Sequence, residues 1–140
     1  MASGKYGNQK VTIDGIRFDS RLEGRFYEHL KSLKASKLIK DFEIQKRFLL
    51  LEQFEKDGEL FRKIEYVADF VVYHEDGLVE VFDTKGVETD VFKIKRKLFE
   101  YRYKDLRLQA ITYSKIDGGW VSLDKVKKAR KERKKAKLSH

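Results

Sequence analysis

Three charged side chains stand where an apolar pattern should run on. The stretch YVADFVVYHEDGLVEVFDTKG, residues 66–86, is two apolar runs joined by a short polar turn. Asp69 sits at the head of the first run, and Asp83 and Lys85 at the end of the second. On a strand, residues two apart share a face, so Val79, Val81, Asp83 and Lys85 point one way and Glu80, Phe82 and Thr84 the other. If the runs pair as a hairpin around Glu75-Asp76-Gly77, the head of the first lies beside the tail of the second. Asp69, Asp83 and Lys85 then come together. Two carboxylates offer oxygen ligands to a hard divalent cation. A cation so held and a neighbouring ammonium supply what phosphodiester hydrolysis needs: an oriented water and charge relief on the phosphate. Thr84 turns its side chain away, but its backbone carbonyl is available as a further ligand.

Each residue alone has an ordinary role as well. Asp83 and Lys85 make a plausible surface ion pair on one strand face, and Asp69 a strand-end turn residue. Jointly they favour a site, because three charged groups end apolar runs at one place. Glu23 is a fourth member with two readings. With Ser20 it completes a capping box at the start of a helix, or it reaches as a carboxylate towards the strand ends. The pattern alone does not choose.

These residues need elements to carry them. Val11–Ile13, Asp14-Gly15 and Ile16–Phe18 form a small hairpin with Asp-Gly as its turn. Leu22, Phe26, Leu30 and Leu33 recur at helical spacing in DSRLEGRFYEHLKSLKAS. Strands are expected over residues 42–51, 61–73 and 78–85, with a turn at Asp57-Gly58. Asp90 is placed to cap a second helix with Val91, Ile94, Leu98 and Tyr101 on one stripe and Lys93, Lys97 and Lys104 off it. A strand over 106–113 follows this crossover, so a mixed sheet with its final strand parallel to a neighbour is expected. Gly118-Gly119 turns the chain into a short extended piece, and Asp124 is placed to cap a basic C-terminal helix. The expected fold is α/β with an αβββαβ core: an arm over 1–10, one domain over 11–123 and a tail over 124–140.

Composition sets the outer bounds. The 140 residues suit a single domain with a sizeable core. There is no cysteine, which excludes disulfides, thiolate zinc sites and cysteine catalysis and suits a reducing cytosol. No run is long enough to span a bilayer, so no membrane partner is expected. His29, His74 and His140 share no metal-ligand spacing. Of the net charge of +9, the segment 125–138 carries +8, with nine Lys or Arg against one acid, Glu132. Lys125, Lys127, Lys128, Arg130 and Lys131 are therefore expected to contact nucleic acid; a solvated tail is the plain alternative. Lys93 and Lys97 are the candidate DNA contacts of the nearly neutral remainder. Gln45 and Lys46, Tyr6 on the arm, and a tight strand exit at Gly86 are weaker features.

The set Glu23, Asp69 and Asp83-Thr84-Lys85 resembles the PD-(D/E)xK nuclease superfamily. More narrowly, FDSRLEGRFYEHL, then YVADFVVY and VEVFDTKG, is similar to phage endonuclease I-type Holliday-junction resolvases and to a related phage-associated domain family. The similarity covers about residues 15–113. The D…DxK pattern is weak alone, and the upstream F-x-S-x-L-E element strengthens it. The resemblance implies that Glu23, Asp69 and Asp83 ligate Mg²⁺ or Mn²⁺ and that Lys85 is the catalytic lysine. It departs from the pattern at Ala68, where the motif name has proline, and at Asp83, where that resolvase type has glutamate. The expectation is a metal-dependent endonuclease acting on branched DNA in phage replication or recombination, a homodimer in the host cytoplasm. The rival is a non-catalytic nucleic-acid-binding or assembly protein with a degenerate site.

Overall fold

The structure, a computed structural model, describes residues 9–85 and 87–138. Residues 1–8 of the arm, including Tyr6, the Gly86 strand exit and His140 fall outside the described residues. In chain order the elements are β1 (Val11–Ile13), β2 (Ile16–Phe18), α1 (Arg21–Ala35), β3 (Asp41–Leu51), β4 (Phe54–Lys56), β5 (Glu59–Phe61), β6 (Ile64–Tyr73), β7 (Val79–Thr84), α2 (Asp90–Arg102), β8 (Leu108–Ser114), β9 (Gly119–Ser122) and α3 (Leu123–Leu138). The fold is mixed α/β, with a five-stranded sheet in the order β3-β6-β7-β8-β9 and two small ribbons, β1-β2 and β4-β5. β6 pairs antiparallel with β3 and with β7, and β8 pairs antiparallel with β9. The α2 crossover returns the chain to β8 at the side of β7. The sheet does not end there, as the sequence pattern suggested: the residues after Gly118-Gly119 add β9 as an antiparallel edge.

Close contacts divide the chain into two interleaved units. One comprises Met1–His29, Thr84–Val87 and Ala110–His140; the other comprises Leu30–Asp83 and Glu88–Gln109.

The first unit is built on the β1-β2 hairpin. Asp14 and Gly15 both take positive φ, 54° and 75°, as a two-residue hairpin turn requires. Gly24 lets α1 approach this ribbon closely, since a Cβ there would fall 2.7 Å from a Val11 methyl. Phe18 packs against Tyr27, ring centroids 4.9 Å apart, and the Tyr27 hydroxyl donates to Asp14 at 2.8 Å. Ser20 Oγ accepts the Glu23 N–H at 3.1 Å and so starts α1. At α3, Ser122 Oγ accepts the Lys125 N–H at 3.1 Å, so Ser122 caps this helix in place of Asp124, which falls inside the first turn. α3 also docks more firmly than its charge pattern suggests. Leu123 and Val126 are fully buried, and Arg133 pairs with Asp117 at 2.8 Å.

The second unit holds the larger core. The β6-β7 hairpin turns at Glu75-Asp76-Gly77 as the sequence implies. There Asp76 Oδ1 accepts the Leu78 N–H at 3.0 Å, and Gly77 has φ 93°. The run 61–73 is not one strand. Phe61 pairs with Phe54 across a tight Asp57-Gly58 turn in the β4-β5 ribbon, and β6 starts afresh at Ile64. α2 is capped by Thr89, whose Oγ1 accepts the Phe92 N–H at 3.1 Å, and Asp90 is instead its first residue. The stripe of Val91, Ile94, Leu98 and Tyr101 faces largely outward: Val91 is 63% and Ile94 60% exposed, whereas Phe92 and Phe99 are buried. Two phenyl rings seven residues apart cover more apolar area than the smaller aliphatic side chains, and so decide which face turns in. Phe99 meets Phe48 edge-on with centroids 5.1 Å apart, and the Tyr103 hydroxyl donates to the Leu49 carbonyl at 2.8 Å.

Candidate functional site

In the second unit the site begins with the register of β6 on β7. Phe70 faces Phe82 and Val71 faces Val81, so the next positions along the two antiparallel strands are Asp69 and Asp83. The two carboxylates thus lie at the end of the hairpin, one position beyond its last paired residues, Phe70 and Phe82. Asp83 is buried, only 5% exposed, and Asp69 is half-buried. Burying an ionised carboxylate is costly unless hydrogen bonds compensate. Tyr66, three residues before Asp69 on β6, supplies one: its hydroxyl donates to Asp83 Oδ2. Burial first, and then the negative charges of Asp83 and Asp69, push the Tyr66 phenol far above its ordinary value. It stays protonated and therefore remains a donor to the carboxylate.

Sequence reasoning gave Tyr66 no role. The signal was nonetheless present: a tyrosine in the buried phase of a strand must find a partner for its hydroxyl. Among the described residues no buried side-chain nitrogen or oxygen is left without such a partner.

In the first unit Glu23 is 4% exposed at the first turn of α1. Its Oε1 accepts the Asp19 N–H at 2.9 Å, while its own N–H bonds to Ser20. The capping role is therefore realised, with the carboxylate reaching one residue further back than in the usual box. Thr84 and Lys85 are half-buried in the same unit, and the Lys85 N–H bonds to the Ile111 carbonyl at 2.8 Å. That bond fixes the backbone where the DxK run ends.

Among the described residues no group of three or more His, Cys, Asp or Glu is gathered as a metal-binding cluster. The second unit offers the Asp69–Asp83 pair, whose carboxylate oxygens suit a hard cation such as Mg²⁺ or Mn²⁺. Of the weaker candidates, Lys46 bonds to Glu43 at 3.2 Å, and Gln45 holds φ at 51° within β3. Lys93 and Lys97 are exposed on α2, and Lys125, Lys127, Lys128, Arg130 and Lys131 on α3. His74 is engaged with Glu80 at 2.7 Å. Among the described residues no helix is long and apolar enough to cross a membrane.

The sequence profile of the DUF1064 family, described as proteins of unknown function, matches residues 3–117. The chain belongs to this family. No curated protein matches it. In this DUF1064 protein the matched stretch takes in Glu23, Tyr66, Asp69, Asp83, Thr84 and Lys85, and it stops before Trp120 and α3.

Proposed function

We propose that this DUF1064 protein is a metal-dependent endodeoxyribonuclease that hydrolyses phosphodiester bonds in branched DNA. The observation that supports it best is the Asp69–Asp83 pair on adjoining strands, with the buried Asp83 held by the Tyr66 hydroxyl. A structural strand has no need of a buried carboxylate, whereas a cation site does.

In this reading Asp69 and Asp83 would hold Mg²⁺ or Mn²⁺, and Glu23 and the Thr84 carbonyl are the remaining ligands expected from the sequence. The cation, when bound, supplies charge relief on the phosphate and lowers the pKa of a coordinated water. The Tyr66 hydroxyl, donating to Asp83, helps to position that carboxylate. Lys85 places its ammonium by the scissile phosphate, where it orients the attacking water and offsets charge developing on the phosphoryl oxygens. Lys93, Lys97 and the exposed cations of α3 contact phosphates away from the cut. Cleaving two strands of a symmetric junction calls for two such sites, which a twofold homodimer provides. A cytoplasmic location belongs to the same proposal.

The test incubates the full chain with a four-way junction, a plain duplex and a single strand, with and without Mg²⁺ or Mn²⁺. The expected result is metal-dependent cutting of the junction that is lost in Lys85→Ala, with DNA binding retained. Cutting by Lys85→Ala at the normal rate would remove Lys85 from the chemistry. Binding without cutting under every condition would leave the second reading, a non-catalytic nucleic-acid-binding protein, which the exposed cations of α3 support.

A further inference from the structure

The first unit carries an aromatic and cationic surface that the proposed hydrolysis does not use. Arg25, exposed on α1, sets its guanidinium carbon 4.4 Å from the Tyr113 ring centroid and 5.8 Å from that of Trp120. The two rings meet edge-on, centroids 5.3 Å apart with their planes at 74°. Phe26, buried beneath α1, braces Trp120 at 4.9 Å, again edge-on. The support is fixed, yet the upper surface stays open: Tyr113 is 39% exposed and Trp120 only half-buried. From Trp120 the chain passes within three residues into α3, whose exposed Lys125 and Lys128 lie in its first turns.

Two partly exposed aromatic rings set edge-on, with a guanidinium over one of them and a run of cations following, match a ligand with flat faces and an anionic backbone. Unpaired nucleobases have that chemistry, since they stack on aromatic rings and on arginine planes while their phosphates meet basic side chains. Bases within a duplex do not qualify, because their faces are covered by their neighbours. A neutral apolar peptide would fill the aromatic patch but would leave the cations of α3 unused.

We propose that Arg25, Tyr113 and Trp120 form a stacking subsite for an unpaired base of a single-stranded segment whose backbone continues onto α3. This rests on the nucleic-acid reading above and deepens it by naming the feature recognised: exposed bases at a branch or flap.

Trp120 is the only tryptophan in the chain, so its emission reports the subsite directly. The full chain, in EDTA, is titrated with three end-labelled probes of equal length: an oligothymidylate, an abasic strand and a duplex. Tryptophan emission and the anisotropy of the label are followed together. The oligothymidylate is expected to quench Trp120 and to bind about tenfold more tightly than the abasic strand, as stacking of a base on a ring implies. The abasic strand and the duplex should bind without quenching. Tyr113→Ala should bring the oligothymidylate to the abasic level and leave the abasic strand unchanged, while Tyr113→Phe should retain the preference. Equal affinity for the two single strands, with no quenching, overturns the subsite and leaves nucleic-acid binding standing. No binding of any probe overturns both.

Discussion

The Tyr66 hydroxyl on β6 donates to the Asp83 carboxylate on β7, joining residues seventeen apart in sequence within one hairpin. A buried phenol and a buried carboxylate each depend on the other for their hydrogen bonding. Tyr66→Phe is expected to destabilise the protein at neutral pH by about 1.5–3 kcal/mol, the usual worth of a hydrogen bond to a charged group. The sign of the pH dependence follows from the raised phenol pKa. The folded state keeps this proton where the unfolded chain releases it, so the stabilisation is complete below the ordinary phenol value of 10.0 and declines as pH rises above it. Urea unfolding between pH 7 and 11 should show the wild type losing stability more steeply at the alkaline end than Tyr66→Phe. Parallel slopes would remove Tyr66 as the cause.

The orientation of α2 is tested by a pair of truncations. Phe99 is fully buried and Ile94 is 60% exposed. Phe99→Ala should cost about 3–5 kcal/mol. Ile94→Ala should stay within roughly 0.5 kcal/mol of the wild type. The reverse ranking in chemical denaturation would mean that the aliphatic stripe, and not the two phenyl rings, faces the core.

Asp117 ties α3 to the turn before β9. Its carboxyl is held below its ordinary value by the Arg133 guanidinium first and the Ser114 hydroxyl second. A lowered carboxyl pKa gives stability that is present above the unfolded value, 3.8, and is lost as pH falls through the folded one. Asp117→Asn should speed amide hydrogen exchange around Arg133 at neutral pH. It should also abolish the further loosening that the wild type undergoes below about pH 4. Unchanged exchange in α3 would show that Leu123 and Val126 hold the helix without the ion pair.

Lys125, Lys128 and Lys131 are exposed on α3, and their substitution by glutamine leaves buried Leu123 and Val126 in place. For every phosphate that a lysine no longer neutralises, the log–log salt dependence of duplex binding should flatten by roughly 0.9. Because phosphate contacts carry no base information, affinity should fall equally for unrelated sequences. A salt titration of binding with an unaltered slope would assign the phosphate-binding role to other residues.

The hairpin that carries Asp69 and Asp83 was legible in the sequence because its information is local. Two apolar runs, a Glu75-Asp76-Gly77 turn and a period of two settle both the register and which residues end up side by side. The Ser20–Glu23 start of α1 and the Asp-Gly turns are local in the same sense. Tertiary structure decided what depends on competition between surfaces. α2 carries two apolar stripes, and only packing against Phe48 and Tyr66 shows that Phe92 and Phe99 win. Thr89 and Ser122 took the caps from Asp90 and Asp124 because the docked helices begin earlier than the charge pattern suggested. The basic helix has few apolar residues, yet Leu123 and Val126 suffice once a core exists to receive them. The Tyr66–Asp83 bond belongs to this second class. The strand pattern says only that a buried Tyr66 needs a partner for its hydroxyl; which partner it finds is decided where the fold brings a carboxylate within reach.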